Sequence, residues 1–404
     1  MISLSLLNKI LVIFKLLIKL FIGLVGTFFI VILSPVIVVR VGYFQSARIG
    51  HYITETQLAI NQNRITKSFP RRLIFDIWFD NRIISNVYVQ KYWRTQCRVW
   101  DRRFVSPIYT VMKFCKLPKA FFIEAISRDR DVTDCLNSIH PPDLFSDDES
   151  NELRKSLELI GLPIGAKYIC FHNRDAEYQQ RFFPSIDFSS HSYRDTSLSN
   201  YIKGLEVLAE RGYFVLRMGK FTTEKVPSEV SSRIIDYANS SLQSDVLDIF
   251  LISKCEYFIS TGSGIDSVAT FFKKPTLFLN FSHLAYIANW NSKAMYSFKH
   301  FICSDNLNEL KLNDIINHNL HSFLRTEDYI NNKIELVENS PQENLEYMVE
   351  FDEYFKSEGF LNLVQKSDLE DIFWNIFPFN PNLHPMHVKR CKISDIYLKK
   401  FITL

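Results

Sequence analysis

The chain lacks the residue patterns that identify the commonest nucleotide-binding sites. It contains only 12 glycines in 404 residues, and no third glycine follows Gly262 and Gly264 at the spacing of a dinucleotide fingerprint. The lysine pattern of a phosphate-binding loop and the Gly-x-Ser-x-Gly elbow of hydrolases are also missing. The sequence therefore does not carry the standard signatures of P-loop NTPases, dehydrogenases or α/β-hydrolases.

Cysteine is sparse and unpaired. The 7 cysteines are an odd number without paired spacing, which favours free thiols in a reducing compartment over disulfides. His384, His387 and Cys391 do not have a recognised zinc spacing. We therefore predict no metal site and no bound cofactor.

Acidic residues are rare at the amino-terminal end. Residues 1–119 contain 4 Asp/Glu against 18 Lys/Arg, and the remainder contains 40 against 29. This asymmetry predicts contact with an anionic membrane surface or an anionic acceptor. Nucleic acid is the competing partner, but no nucleic-acid-binding motif accompanies the charge, so we predict none.

A long apolar run opens the chain. Residues 20–39 carry no charge and would span a bilayer if they formed one helix. Pro35 and the β-branched stretch 36–43 argue against one helix, and no small-residue cleavage site of a signal peptide follows the run. We predict an anchor over residues 1–34 that leads into a strand. Residues 100–119, basic and aromatic, are either a bilayer-facing helical surface or an ordinary solvated helix.

A strand, a glycine turn, a helix and a second strand follow one another between residues 257 and 280. This order is typical of the βαβ unit of a parallel sheet, with the turn of residues 261–264 at the carboxyl end of its strand. Gly262 and Gly264 let a ligand approach the backbone, and the N–H groups of a following helix attract anions. The turn is therefore either a phosphate site or tight packing.

Polar residues follow three further predicted strands. They are Arg48, Gly50 and His51 after the first strand, His172, Arg174 and Asp175 after strand 167–171, and Arg217 and Lys220 after strand 213–218. Histidine and aspartate exchange protons, and arginine binds phosphate. Each cluster is therefore either a functional site or a purely structural network, and His51 is either a functional residue or a packing residue at the end of a helix.

These elements predict two α/β domains. Ser146 and Glu149 form a capping box that opens a connecting helix, which ends near Gly161 and Pro163. We predict an anchor at 1–34, an amino-terminal α/β domain at 35–162, a carboxyl-terminal α/β domain at 163–345 and a helical tail at 346–404. The polar strand ends predict a cleft between two Rossmann-like domains that holds a phosphorylated ligand.

Several stretches together resemble one family. The stretches are Arg48–His51, Phe171–Asp175, Tyr193–Asp195, Arg217–Lys220, Ile235–Asn239, Asp248–Leu251 and Phe258–Gly264. In combination they resemble bacterial glycosyltransferases of surface-polysaccharide biosynthesis, over most of residues 40–350. The turn at 260–264 is also similar to the nucleotide-sugar loop of heptosyltransferase-like enzymes.

The resemblance implies a two-domain GT-B architecture. With the hydrophobic anchor at 1–34, we predict that the protein lies at the cytoplasmic face of the inner membrane. The resemblance also implies a metal-independent transferase that uses a nucleotide-sugar as co-substrate and a glycan or lipid-linked acceptor. The donor would lie in the second domain, against His172, Arg174, Arg194, Arg217, Lys220, Ser260, Thr261, Gly262, Ser263, Gly264 and Asp266. The acceptor would lie in the first domain, near Arg48 and Gly50.

His51 is the first candidate for the general base because it belongs to the predicted acceptor domain, and Asp175 is the second. Two other functions remain open from the sequence. One is a membrane-tethered glycan- or nucleotide-binding assembly protein without catalysis. The other is transfer of a non-sugar group, such as pyruvate, to a polysaccharide.

Overall fold

The computed structural model describes residues 4–65, 72–128, 130–137, 140–357, 360, 367–384 and 391–402. The chain divides into two compact units, residues 1–129 and 130–404, which we call unit 1 and unit 2. The connecting helix expected before residue 163 therefore belongs to unit 2.

Unit 1 consists of a long first helix followed by a small α/β fold. Its elements are α1 (Leu4–Leu33), β1 (Ile37–Tyr43), a π-helix (His51–Glu55), α2 (Thr56–Ile65), β2 (Leu73–Phe79), α3 (Val87–Gln96), α4 (Arg102–Phe114) and β3 (Phe122–Ile123). The helix ends at Leu33 and Pro35 follows it, which confirms the predicted change from helix to strand.

The sheet of unit 1 is parallel, in the order β2-β1-β3. Val38 and Val41 of β1 and Ile77 of β2 pack against Val105 of α4 and Ile30 of α1. Burial of these apolar side chains fixes one face of the sheet and the last turns of α1 on the same core.

Unit 2 begins with alternating strands and helices, as predicted. They are α5 (Asp147–Leu157), β4 (Tyr168–His172), α6 (Glu177–Phe182), α7 (Ser199–Glu210), β5 (Phe214–Arg217), β6 (Ile234–Ile235), α8 (Asp245–Lys254), β7 (Phe258–Ser260), α9 (Asp266–Phe271), β8 (Thr276–Phe281) and β9 (Ala294–Phe298). Ser146 caps α5 by accepting a hydrogen bond from the Glu149 N–H, as its sequence pattern indicates.

The rest of unit 2 completes the same layers. Its elements are β10 (His300–Cys303), α10 (Leu312–Asn317), α11 (Thr326–Asn331), β11 (Ile334–Val337), α12 (Pro341–Lys356), α13 (Asp368–Ile376), β12 (Lys392–Ile393) and α14 (Asp395–Phe401). The main sheet is parallel throughout, in the order β12-β9-β8-β7-β4-β5-β6, and β10 pairs with β11 as an antiparallel ribbon.

The carboxyl-terminal residues are part of this sheet and its core. β12 pairs with β9, and the ring of Phe373 on α13 stacks 6.4 Å from that of Phe298 on β9. Tyr397 of α14 contacts the same Phe298 ring. The stretch expected to be a helical tail thus adds an edge strand and two helices to the fold.

Phe373→Ala should destabilise unit 2 by about 3–5 kcal/mol, because it removes a fully buried ring beside β9. Denaturant unfolding monitored by circular dichroism measures this loss. Leu159→Ala is the control: Leu159 is 79% exposed, so its removal should change stability by less than about 0.5 kcal/mol. Equal effects of the two substitutions would contradict the packing of the carboxyl-terminal residues on the sheet.

Candidate functional site

The strand order of the main sheet of unit 2 reverses once, between β4 and β7. From β4 the chain continues to β5 and β6 on one side, whereas β7, β8 and β9 lie on the other side of β4. The loops that follow β4 and β7 therefore diverge, and open α/β sheets bind ligands in the crevice at such a point. We call residues 172–175 and 260–264 the switch-point edge.

The two segments of the switch-point edge are in direct contact. His172 and Ser260 are register partners at the ends of β4 and β7. The Arg174 N–H donates to Thr261 Oγ1 over 2.9 Å. The structure thus brings together two clusters that the sequence placed about 90 residues apart.

The glycine turn is held by a carboxylate of its own following helix. Asp266 accepts hydrogen bonds from Ser260 Oγ and, over 2.5 Å, from the Ser263 N–H. Burial raises the pKa of Asp266 to about 6. Because the Ser263 N–H is used inside the turn, its predicted role as a donor to a ligand is not favoured. Gly264 is exposed.

Gly262 is required by the shape of this turn. Its φ is +83°, and a Cβ at this position would lie 2.9 Å from the ring of Phe281 on β8. Its carbonyl oxygen accepts a hydrogen bond from Arg194 Nη2 over 2.7 Å. Both the backbone conformation and the close approach therefore exclude a side chain here.

Arg174 is a buried supporting residue of the switch-point edge. Its guanidinium pairs with Asp195 over 2.6 Å and donates to the His191 carbonyl oxygen over 2.9 Å and to Gln179 Oε1 over 3.0 Å. Burial, followed by the charge of Arg194, lowers the pKa of Arg174 to about 10. The guanidinium is thus held in an internal ion pair, and its predicted phosphate contact stays a prediction.

Arg217 is also internal, and its predicted contact with a diphosphate stays a prediction. Its side chain is 0% exposed. The guanidinium donates to Thr222 Oγ1 over 3.2 Å and to Asn173 Oδ1 over 3.4 Å, and it lies 3.6 Å from Asp236. These bonds join the loop after β5 to the loop after β4, which is a positioning role.

Lys220 is the partly exposed cation of the loop after β5. Its side chain is 27% exposed, and Nζ lies 3.0 Å from Asp245 Oδ1. An exposed lysine in a surface ion pair can exchange its partner for a phosphate at low cost. Of the basic strand-end residues predicted in unit 2, Lys220 is therefore better placed than Arg174 or Arg217 to meet a ligand.

His172 and Asp175 mark the two ends of the loop after β4. His172 Nδ1 lies 3.0 Å from the Met218 carbonyl oxygen, so Nδ1–H donates there. Burial lowers the pKa of His172, so its imidazole is neutral at pH 7. The Asp175 carboxylate accepts from the N–H groups of Glu177 and Thr223, over 3.1 and 3.0 Å. Asp175 thus ties the following loops together.

Two further polar residues of this region were not identified from the sequence. Lys299 is buried, and its Nζ donates to the carbonyl oxygens of Tyr193 and Asp195 over 3.0 and 2.8 Å; burial lowers its pKa to about 8. His283 hydrogen-bonds the Tyr193 hydroxyl, and burial lowers its pKa to about 3. Both follow strands, β9 and β8, so the strand-end rule would have found them.

Unit 1 carries its own polar cluster after β1. His51 Nδ1 lies 3.1 Å from Glu55 Oε2, one turn apart in the π-helix. Short π-helical segments are frequent at functional sites. Gly50 precedes this segment with ordinary helical dihedrals, and the Arg48 carbonyl oxygen accepts from the Tyr52 N–H. Arg48, Gly50 and His51 therefore follow β1 at the start of the π-helix, and their role at an acceptor site stays a prediction.

A cavity of about 200 Å³ lies at the carboxyl ends of the strands of unit 1. Its lining includes Tyr43, Glu55, Tyr109, Glu124 and Arg128. The Tyr109 hydroxyl donates to Glu124 Oε1 over 2.7 Å. Carboxylates, phenols and an arginine in a small cavity suit a ligand rich in hydroxyl groups.

Among the described residues, no group of three or more His, Cys, Asp or Glu side chains is placed to hold a metal ion.

Comparisons with known proteins give distant likenesses only. No protein-family model and no curated protein matches the chain. Among solved structures, ADP-heptose LPS heptosyltransferase II of E. coli is 11% identical, with a TM-score of 0.40 over 79% of this chain and 99% of that one.

Two further solved structures are similar at the same level. A family 9 glycosyltransferase from Veillonella parvula is 10% identical, with a TM-score of 0.37 over 64% of this chain and 85% of that one. The iron-containing dodecameric glycosyltransferase TibC of enterotoxigenic E. coli is 9% identical, with a TM-score of 0.34 over 62% and 59%. At TM-scores below 0.5, these likenesses carry no argument about this chain.

The raised pKa of Asp266 predicts a pH-dependent contribution to stability. The folded-state pKa of about 6 lies above the unfolded value of about 3.9, so the folded protein binds the proton first as the pH falls. Asp266 therefore lowers stability above pH 6, and this cost disappears between about pH 6 and 4. The free energy of unfolding of the native chain, relative to Asp266→Asn, should rise by up to about 3 kcal/mol from pH 7 to 4.

Denaturant unfolding at a series of pH values measures this difference. The control is Asp143→Asn, because Asp143 is exposed at the surface of the same unit. This variant is measured over the same pH range. A difference for Asp266→Asn that does not change between pH 7 and 4 would contradict the buried position of its carboxylate.

Proposed function

We propose that the protein is a glycosyltransferase of GT-B type that acts without a metal. It would move a sugar from a nucleotide-sugar bound by unit 2 to a glycan or lipid-linked acceptor bound by unit 1. The reaction would belong to bacterial surface-polysaccharide biosynthesis at the cytoplasmic face of the inner membrane. The helix of residues 8–33, with a mean hydropathy of 2.7, would anchor it there.

One observation carries the proposal: the family-like stretches of unit 2 converge on the switch-point edge. Asp195 pairs with Arg174, Arg194 donates to Gly262, and Arg217 donates to Asn173. Residues far apart in sequence thus support one short edge, which is where a parallel sheet binds phosphate-bearing ligands.

The leaving group of a sugar transfer is a diphosphate whose negative charge must be stabilised. Lys220 and the exposed backbone at Gly264 are our candidates for direct contact. Arg174 and Arg217 would hold the loops in place and contribute positive charge from within. This division of roles follows from their burial.

The acceptor hydroxyl of an inverting transfer needs a general base. His51 is our first candidate, because Glu55 accepts from Nδ1 and leaves Nε2 to take the proton. Glu55 would be a positioning residue that fixes the tautomer of His51. Asp175 is the second candidate for the base, although the loop N–H groups already occupy its carboxylate.

A non-catalytic binding protein is the second candidate function. It is favoured by the internal use of Arg174, Arg217 and the Ser263 N–H. The transferase predicts both nucleotide binding and turnover, whereas the non-catalytic protein predicts no nucleotide-sugar hydrolysis and no protection from unfolding by nucleoside diphosphates. Transfer of a non-sugar group is separated from both by exchanging the donor class in the same assay.

A thermal-shift screen of nucleoside diphosphates and nucleotide-sugars tests the donor site. The cognate donor at about 100 times its Kd should stabilise the protein by about 2.7 kcal/mol. Lys220→Gln should weaken binding about tenfold or more, because a charged contact to phosphate is lost. Lys254→Gln is the matched control: Lys254 also pairs with an aspartate, Asp143, but at the opposite end of its helix from the strand tips. An unshifted melting temperature with every nucleotide would contradict the proposal.

Turnover measurements test the assignment of the base. His51→Ala should lower kcat by about 10²- to 10⁴-fold, the usual contribution of general-base catalysis. Glu55→Gln should cause a smaller loss, because it removes only the partner that orients the ring. His318→Ala, an exposed histidine of unit 2, should leave kcat unchanged. Full activity of His51→Ala together with loss in Asp175→Ala would place the base in unit 2.

A further inference from the structure

The last turns of α1 pack against the rest of unit 1. A Cβ on Gly23 would lie 2.5 Å from Val111 Cγ2 and 2.7 Å from the Pro107 carbonyl oxygen of α4. A Cβ on Gly26 would lie 2.4 Å from Ile108 of α4. Small residues on the contacting face of a helix let a neighbouring helix pack closely. The last three turns of α1 therefore lie against α4.

This packing limits how much of α1 is available to cross a bilayer. The uncharged residues run from Leu20, and the helix ends at Leu33. These 14 residues span about 21 Å, against a hydrocarbon core of about 30 Å. A complete crossing would have to bury Lys15 and Lys19 in the hydrocarbon or draw α4 into it.

The lysines of α1 suit a different position. Lys9, Lys15 and Lys19 are exposed, as are the apolar side chains around them. Lysine in the centre of a membrane is unfavourable, whereas an in-plane helix places it among the headgroups and its apolar side in the acyl region.

The solvent-facing side of α4 has matching chemistry. Phe104 is 57% exposed and Phe114 is 86% exposed, and the exposed Arg103 lies within about 100° of both around the helix axis. The charge of Arg103 is partly balanced by Asp101, but Lys116 continues the basic surface beyond the helix. Exposed phenylalanines between cations are typical of a surface at the headgroup layer.

We propose that unit 1 binds an anionic phospholipid bilayer from one side. In this arrangement α1 and the exposed side of α4 lie in a single leaflet, and α1 does not cross. The basic residues contact the headgroups, and Phe104 and Phe114 enter the acyl region. The bare groove between α1 and α4, lined by Leu24, Phe28 and Val111, would be filled by lipid chains.

This arrangement bears on the acceptor site without depending on the transfer reaction. Tyr109 of α4 lines the cavity of unit 1. The helix that contacts lipid therefore also forms a wall of the candidate acceptor site, which would favour an acceptor that is itself carried by the membrane.

A protease-protection experiment tests the proposal, because it shows on which side of the membrane each end of the chain lies. The full chain, with one epitope tag before α1 and another after α14, is expressed in a bacterial host. Protease is then added to sealed right-side-out or inverted membrane vesicles. We expect both tags to be cleaved in inverted vesicles only. Cleavage of the amino-terminal tag in right-side-out vesicles would show that α1 crosses, and would overturn the proposal.

The contact of α4 with lipid is tested separately by photo-crosslinking. A benzophenone analogue of phenylalanine replaces Phe104 or Phe114 in the full chain, bound to vesicles of neutral and anionic phospholipid. We expect lipid adducts at both positions, increasing with the anionic fraction. The same analogue at Leu307, 76% exposed in unit 2, is the control and should give none.

Absence of adducts at both α4 positions would overturn the assignment of this surface. The nucleotide-dependent thermal shift of the same variants is measured in parallel. Because α4 carries no donor contact, a normal thermal shift without lipid adducts would refute the lipid surface alone. Lipid adducts without any thermal shift would refute only the donor site.

Discussion

The divergence of the chain at β4 and β7 is the constraint on which the rest of unit 2 depends. Parallel strands place all their carboxyl ends at one edge, and open α/β sheets bind ligands at the point of this edge where the strand order reverses. The residues around this point do not act singly. Thr261 holds the loop after β4, Asp266 holds the turn after β7, and Arg194 holds the carbonyl oxygen of Gly262. The edge is therefore a preorganised surface.

Buried charge is the second feature of this edge. Arg174, Arg217 and Lys299 are almost completely buried, and each has anionic or carbonyl partners that compensate for lost hydration. Removing one partner of such a group is costly, because the other is left uncompensated. These three side chains therefore mainly fix the geometry of the loops, since most of their hydrogen-bond donors are already used inside the protein and are not available to a ligand. For a transferase, such fixed positive charge still stabilises an anion that forms nearby.

Much of the fold was predictable from residue patterns, and the reason is periodicity. Short apolar runs and glycine turns located the strands of both units, and Ser146 caps its helix as its spacing indicates. The incorporation of residues 391–402 into the sheet was not predictable, because Lys392 and Ile393 form only a two-residue strand. Position at a strand end identified the switch-point residues, but not their roles. Whether an arginine points outward or pairs internally depends on distant partners such as Asp195 and Asp236, which no local pattern reveals.

Hydrogen exchange with and without a nucleotide-sugar tests the central claim most directly, because it locates binding on the chain. We expect slower exchange in residues 172–175, 218–224 and 260–266 together on addition of the cognate nucleoside diphosphate, since the three loops border one edge. The end of the sheet opposite to them should be unaffected. Protection confined to unit 1, or spread over surfaces away from β4 and β7, would contradict a donor site at the switch-point edge.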